Sequence, residues 1–338
     1  ISLAATADKG RIIDDPQTKG VVSTKSRSVM GVAFVVGLGL PIAIIYIIGL
    51  LRYKIGGRDD VERLTKLPII SDVATASKHA KGDGEIVGRE NHNNAMEEIF
   101  RGMRSNLLFT LKEGQNVIVC TSSIAGEGKT FISSNLAMSF AILGKKVLLV
   151  GLDIRKPRLQ GIFSLGEQKV GITNLLRQDN PTWEEIESQI LPSGKHDNLL
   201  VMPSGPIPPN PTEIIARKSL DNIISTAKAH FDYVIIDSAP VGLVPDTVSI
   251  ARVSDATVFV CRADYTPKRD FDIINTLSAE DRLHNVSIVI NGIDMSKKRY
   301  GYYYGYGHYG YGHHSYGYGG YRYGYDNYGD KEDKSIKK

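Results

Sequence analysis

The chain is 338 residues long and carries 41 lysines and arginines against 37 aspartates and glutamates, a net charge of +4 spread along its length. That length admits one large or two modest domains, and a mild charge without a basic stripe argues against nucleic acid as a partner. The two cysteines, Cys120 and Cys261, sit inside apolar runs; they read as buried free thiols in a reducing compartment, not as a disulfide.

The sequence starts at Ile1 and not at methionine, which reads as a fragment or a processed product. Residues 1–28 are polar and without periodicity, and are expected to lie outside the membrane. Residues 29–51 read VMGVAFVVGLGLPIAIIYIIGLL with no charged side chain. As a helix they span about 34 Å against roughly 30 Å of hydrocarbon, so a transmembrane helix is expected. The other readings are a signal-peptide core, which is usually shorter at ~7–15 residues, and a buried helix. Pro41 is a kink that membrane bundles tolerate. Five Lys/Arg lie within twenty residues before the span and five soon after it, so charge does not orient it. Residues 52–94 read as a polar cytoplasmic linker with a KGDG turn at 81–84.

From about 94 to 291, apolar runs alternate with helical patterns. The predicted strands are NVIVCTS, KKVLLVG, NLLVMP, YVIIDSA, ATVFVCR and VSIVING. Predicted helices include 130–143, stopped by Gly144, and 212–230. Near-continuous apolar strands alternating with helices imply a parallel sheet buried on both faces, a doubly wound α/β domain over 95–297.

The first of these strands runs into TSSIAGEGKT and then a helix. The pattern G-x-x-x-x-G-K-[ST] is met at Gly128, Lys129 and Thr130, with Ser123 in place of the first glycine. Amides from Gly126 to Thr130 would cradle phosphates at the helix N-terminus. The nucleotide-binding stretch is therefore Ala125, Gly126, Glu127, Gly128, Lys129, Thr130 and Phe131. Lys129 would reach the β- and γ-phosphates, and Thr130 would ligate Mg²⁺. Two other strands end in aspartate, at Asp153 and Asp237, and ligands of open parallel sheets bind at the carboxyl ends of strands. Asp237 is read as a Mg²⁺ carboxylate. Asp153 is read as a metal ligand that also activates an incoming hydroxyl, with a turn aspartate as its plain alternative. Lys129, Asp153 and Asp237 form the expected catalytic set. The expected metal set is Thr130, Asp153 and Asp237, and ATP with Mg²⁺ is the expected cofactor.

The last segment, 298–338, follows a different grammar. Thirteen of the chain's seventeen tyrosines fall in it: Tyr300, Tyr302, Tyr303, Tyr304, Tyr306, Tyr309, Tyr311, Tyr316, Tyr318, Tyr321, Tyr323, Tyr325 and Tyr328, spaced by glycine and histidine. With almost no aliphatic residues it has nothing to build a core from, so it reads as a disordered tail displaying phenols. Each phosphorylation would add about −1.5 to −2 charges. A self-associating low-complexity segment, or metal binding by His308, His313 and His314, are the readings that need no kinase. Tyr233 and Tyr265 fall inside folded elements and are not expected acceptors.

Four segments, SSIAGEGKT, LLVGLDIRKP, VIIDSAP and the tyrosine tail, together make the chain resemble the bacterial P-loop protein-tyrosine kinases, in the membrane-anchored form fused to a polysaccharide co-polymerase. EEIFRGMR matches that family's E-x-x-R-x-x-R oligomerisation motif at Glu98, Arg101 and Arg104, and GPIPPNPTEII its proline-rich loop. The three residues sit at spacing three on one helix face, and without the resemblance they would be read as intrahelical i,i+3 ion pairing. The resemblance covers roughly 29–330. It implies autophosphorylation of the tail between subunits of a ring, at the inner membrane of a bacterium. It also implies partners among polysaccharide polymerisation and export machinery, and a tyrosine phosphatase. Because the domain uses ATP, its side of the span is the cytosol. The chain departs from the family at Ala125, Gly151 and Ala239, where proline, aspartate and proline are usual. Two further readings stay open: a positioning or partition ATPase, and a scaffold for chain-length control whose nucleotide site gates assembly.

Overall fold

The computed structural model describes residues 26–50, 53–75, 86, 95–166 and 169–294. The chain divides into two compact units, residues 1–52 and 53–338. In the first unit, α1 (Ser26–Leu50) is helical through Pro41, and its described side chains, at 28–44 and 46, are exposed. Val29, Met30, Phe34, Leu38 and Ile42 are among them. The unbroken run of described side chains, 28–44, accounts for about 26 Å of helix. Among the described residues no helix is long and apolar enough to cross a membrane.

The second unit is built on one sheet of eight strands. These are β1 (Ile69–Ala74), β2 (Val117–Ser122), β3 (Val147–Gly151), β4 (Leu191–Pro192), β5 (Leu199–Met202), β6 (Tyr233–Asp237), β7 (Ala256–Arg262) and β8 (Val286–Ile293). Their order is β1-β8-β7-β2-β6-β3-β5-β4. Every pairing is parallel except that of the two-residue edge strand β4 with β5. All six predicted strands are present, each within two residues of its expected bounds. All of β2 is buried, and its side chains alternate between the two faces. Ile118 and Cys120 join one core, Val117 and Val119 another.

The helices of this unit are α2 (Arg58–Leu64), α3 (Ala95–Thr110), α4 (Lys129–Ile142), α5 (Leu159–Ile162), α6 (Ile172–Leu176), α7 (Trp183–Glu187), α8 (Pro211–Ile215), α9 (Ser219–His230), α10 (Asp246–Ala251) and α11 (Asp270–Ala279). Phe100, Met103 and Leu107 of α3 and Leu136 and Phe140 of α4 cover one face of the sheet. Leu175 and Leu176 of α6 with Leu220, Ile223 and Ile224 of α9 pack on Val119, Val150 and Ile236. Almost all of α4 is buried, as a helix sandwiched between a sheet and another helix must be. It ends where Gly144 takes a left-handed φ of 85°, the stop that the sequence signals.

Two expectations are corrected. The polar linker expected over 52–94 is folded at its start, because residues 53–75 belong to the domain. Ile55 and Val61 are fully buried against Phe259, Phe271 and Ile290, Lys54 forms a bridge with Pro267, and β1 extends the sheet on β8. The strand IISDVA mixes apolar and polar residues without clean alternation, because it lies at an edge. The KGDG turn lies outside the described residues. The helix expected over 212–230 is two helices, α8 and α9. Arg252 Nη2 donates to the carbonyls of Ile215, the last residue of α8, and Arg217, between the two helices.

Candidate active site

The carboxyl ends of three adjacent strands converge. β6 lies between β2 and β3, and Asp237 pairs in register with Cys120 on one side and Gly151 on the other. The phosphate-loop candidate leaves β2, Asp153 follows β3, and Asp237 ends β6. The Asp237 carbonyl accepts the Leu152 and Asp153 amides at 2.8 and 2.9 Å, which fixes Asp153 beside it. Around these ends lies a cavity of about 550 Å³, lined by Ala125, Gly126, Gly128, Lys129, Thr130, Phe131 and Asp153 of the expected set. Arg155, Lys156, Arg158, Arg262 and Asn291 complete its cationic and polar wall.

The loop is held from within by Glu127. Its carboxylate is fully buried, accepts from Ser123 Oγ at 2.8 Å and Ile124 N–H at 2.7 Å, and takes a third bond from Thr266 Oγ1. Burial raises its pKa, against the pull of these hydrogen bonds. The Glu127 side chain therefore braces the loop from behind and is not among the groups that line the cavity. Ser123, standing where a glycine is usual, is the hydroxyl that meets it. Gly126 and Gly128 take φ of 92° and 98°. A Cβ on Gly128 would lie 2.2 Å from Asn291 Nδ2, so glycine is required there both for conformation and for space.

Lys129 Nζ lies 2.7 Å from Asp153 Oδ2 in a pair that is nearly buried on both sides. Burial on its own would lower the lysine's pKa, but the charges of Asp237 and Asp153 outweigh it and hold it above the ordinary value. Asp153 Oδ1 accepts the Lys156 amide at 3.1 Å. Asp237 is buried, and its pKa is raised chiefly by loss of solvent, with Lys129, Thr130 and Ser133 opposing. Its Oδ1 is buried without a hydrogen-bond partner, and a divalent cation satisfies such an oxygen. Thr130 and Asp237 thus fit Mg²⁺ well, while both oxygens of Asp153 already have partners. Among the described residues no cluster of three or more His, Cys, Asp or Glu gathers to hold a metal.

Glu98, Arg101 and Arg104 do not share one exposed face. Arg101 pairs within α3 with Glu97 and Glu98, at 2.9 and 2.7 Å. Arg104 is only 8% exposed; it bonds the Ser139 carbonyl and lies 3.2 Å from Ser139 Oγ. It docks α3 on α4. Arg104→Ala is therefore expected to cost about 1–3 kcal/mol of folding stability by orphaning a buried carbonyl, whereas Arg101→Ala, from a half-exposed arginine paired with exposed Glu98 and buried Glu97, is expected to cost less, about 1 kcal/mol. Paired denaturant titrations check this. The tail tyrosines lie outside the described residues.

Sequence reasoning missed Arg262, Tyr265, Thr266 and Asn291, which hold the loop from the ends of β7 and β8. Their places at or near the carboxyl ends of predicted parallel strands put them on the ligand side of the sheet, but which loop group each meets is not written in the spacing.

Residues 115–269 match a protein family described as AAA domain. Tyrosine-protein kinase CpsD of Streptococcus pneumoniae is 34% identical over 212 residues, which are 63% of this chain and 91% of that protein. The chain belongs to the bacterial tyrosine-protein kinases. Among solved structures, the chimerical protein CapA2B2 is 30% identical, with a TM-score of 0.62 over 70% of this chain and all of that one. A longer relative, the putative tyrosine-protein kinase EpsB of Ralstonia nicotianae, is 28% identical over 297 residues, which are 85% of this kinase and 39% of EpsB.

Proposed function

We propose that this kinase uses MgATP to phosphorylate the tyrosine cluster of its own tail, residues 298–338, in trans between neighbouring copies. The observation that carries the reading is the convergence of Lys129, Thr130 and Asp153 on one cavity at the ends of β2 and β3, with Asp237 buried beside Lys129 and Thr130 at the end of β6. Phosphoryl transfer needs chiefly positioning and charge neutralisation, and these groups supply both. Amides of the loop from Gly126 to Thr130 bind the phosphate oxygens at the start of α4. Lys129 exchanges its bond to Asp153 for the β- and γ-phosphates. That frees the Asp153 carboxylate to accept the proton of an incoming phenol, whose oxygen bonds to the γ-phosphorus as the β–γ bridging bond breaks and ADP leaves. Thr130 and Asp237 would hold Mg²⁺, which supplies charge neutralisation at the β- and γ-phosphates.

In this reading, residues 53–297 are the kinase domain, 29–51 a transmembrane helix at the bacterial inner membrane, and 1–28 an external segment. Support comes from the apolar, exposed helix α1. Control of capsular or exopolysaccharide polymerisation and export, through an export partner and a phosphatase, rests on the family resemblance. The ring contact would use Glu98 and Arg101, the exposed part of the α3 motif at 55% and 41% exposure.

Mixing a tail-deleted active chain with a full-length Lys129→Met chain tests transfer in trans. The inactive chain is expected to acquire phosphotyrosine at a rate that rises with concentration. An inactive chain that stays unmodified while active full-length protein labels itself independently of concentration would contradict it.

A further inference from the structure

Three consecutive carbonyls of the phosphate loop are each tied by a side chain from the ends of β7 and β8. Tyr265 donates its hydroxyl to the Ala125 carbonyl at 2.9 Å, Arg262 Nη1 donates to Gly126 at 3.0 Å, and Asn291 Nδ2 donates to Glu127 at 2.8 Å. In a trans peptide the C=O and the next N–H point in opposite directions. Holding these carbonyls toward the ends of β7 and β8 therefore turns the N–H groups of Gly126, Glu127 and Gly128 away from those donors, where they would be free for phosphate oxygens. The restraint matters because glycine otherwise visits both signs of φ with similar ease. The corner that supplies the donors is itself stiff. The Arg262 guanidinium lies 5.2 Å from the centre of the Tyr265 ring, with Lys54 Nζ at 5.7 Å. The Arg262 amide donates to Thr266 Oγ1 at 2.8 Å, and Thr266 in turn bonds Glu127. A Cβ on Gly126 would come within 2.8 Å of the Tyr265 hydroxyl, so the phenol and the loop are in close contact.

We infer that Tyr265, together with Arg262, is a positioning residue that sets the kinase's affinity for nucleotide phosphates by holding the loop amides in their binding orientation. This rests on the phosphate-loop reading above. Tyr265 acts through the loop and touches no reacting atom, so its loss weakens binding of ATP and ADP alike and leaves the transfer step nearly intact. Tyr265→Phe removes only the hydroxyl and keeps the ring beside its two cations.

The test uses the full chain, with titrations of MgATP and MgADP and steady-state phosphorylation rates. Losing one hydrogen bond that orders the loop is expected to weaken both nucleotides about five- to tenfold. KM for ATP should rise by the same factor, and turnover at saturation should fall less than about twofold. Arg262→Gln, which keeps an N–H donor for the Gly126 carbonyl, is expected to bind more tightly than Arg262→Ala; this pair decides the matter if Tyr265→Phe fails to fold. Wild-type affinity in Tyr265→Phe, equal affinity in the two Arg262 variants, or a fall in turnover without a change in KM would overturn the brace. Wild-type protein that binds neither nucleotide would overturn the phosphate-loop reading, and the brace with it.

Discussion

Lys129→Met is expected to lower tyrosine phosphorylation by at least about a hundredfold, the scale seen when a preorganised electrostatic group is removed from a transfer site. The substitution removes the cation that meets Asp153 at 2.7 Å and offsets the charge of buried Asp237. It therefore has a second consequence in the nucleotide-free protein. Removing one member of a buried pair leaves the other uncompensated, at a cost of about 3–5 kcal/mol. The domain should melt lower, and rate and fold must be separated. Lys129→Arg does so: it keeps the charge beside the two carboxylates, but a planar fork does not replace a compact ammonium. It is expected to melt near wild type and still transfer phosphate poorly. Radiolabel incorporation with parallel melting curves measures both. Folded Lys129→Met protein with an unchanged rate would contradict the assignment.

Asp237→Asn is expected to abolish the benefit of Mg²⁺ for nucleotide binding while making the empty domain more stable at neutral pH. The carboxylate is buried with one oxygen unbonded, and loss of solvent raises its pKa. A group whose folded-state pKa is raised contributes stability that is fully present below its unfolded value, about 3.9 for aspartate. That stability is lost as pH rises through the folded-state pKa. The amide carries no charge, so its advantage over wild type should be absent near pH 4 and below and should grow as pH passes the folded-state value. A gain of about 1–3 kcal/mol is expected at pH 8, read by denaturant titration at both pH values. A variant less stable than wild type at pH 8 would mean that the aspartate is held by bonds stronger than its desolvation.

The two predictions share a cause, and it shows which parts of the molecule the sequence made legible. The fold was readable because central strands of a parallel sheet carry uninterrupted apolar runs, and NVIVC, VLLVG, YVIID and TVFVC are such runs. Strand β1 was not, because an edge strand need be apolar only in part. The segment 53–75 therefore read as linker although Ile55 and Val61 are wholly buried. At the site, Lys129, Asp153 and Asp237 were legible from their places at strand ends. The inward fold of Glu127, the burial of Arg104 and the clasp by Tyr265 were not. Each depends on which tertiary neighbour faces a side chain, and local spacing carries no record of that. The motif at Glu98, Arg101 and Arg104 illustrates the limit. A spacing of three steps back about 60° around the helix each time, so Glu98 and Arg104 stand about 120° apart, and α4 lies under Arg104.

The central claim is that the cavity at the ends of β2, β3 and β6 transfers phosphate to the chain's own tail. Mapping of phosphotyrosine by mass spectrometry, on full-length protein incubated with MgATP, tests it most directly. The account expects phosphate on several tyrosines between Tyr300 and Tyr328 in the wild type, and at least about a hundredfold less on the same peptides in folded Lys129→Arg and Asp153→Asn proteins. A folded wild-type chain that consumes ATP while every tail tyrosine stays unmodified would contradict it, and would leave a nucleotide-driven ATPase in its place.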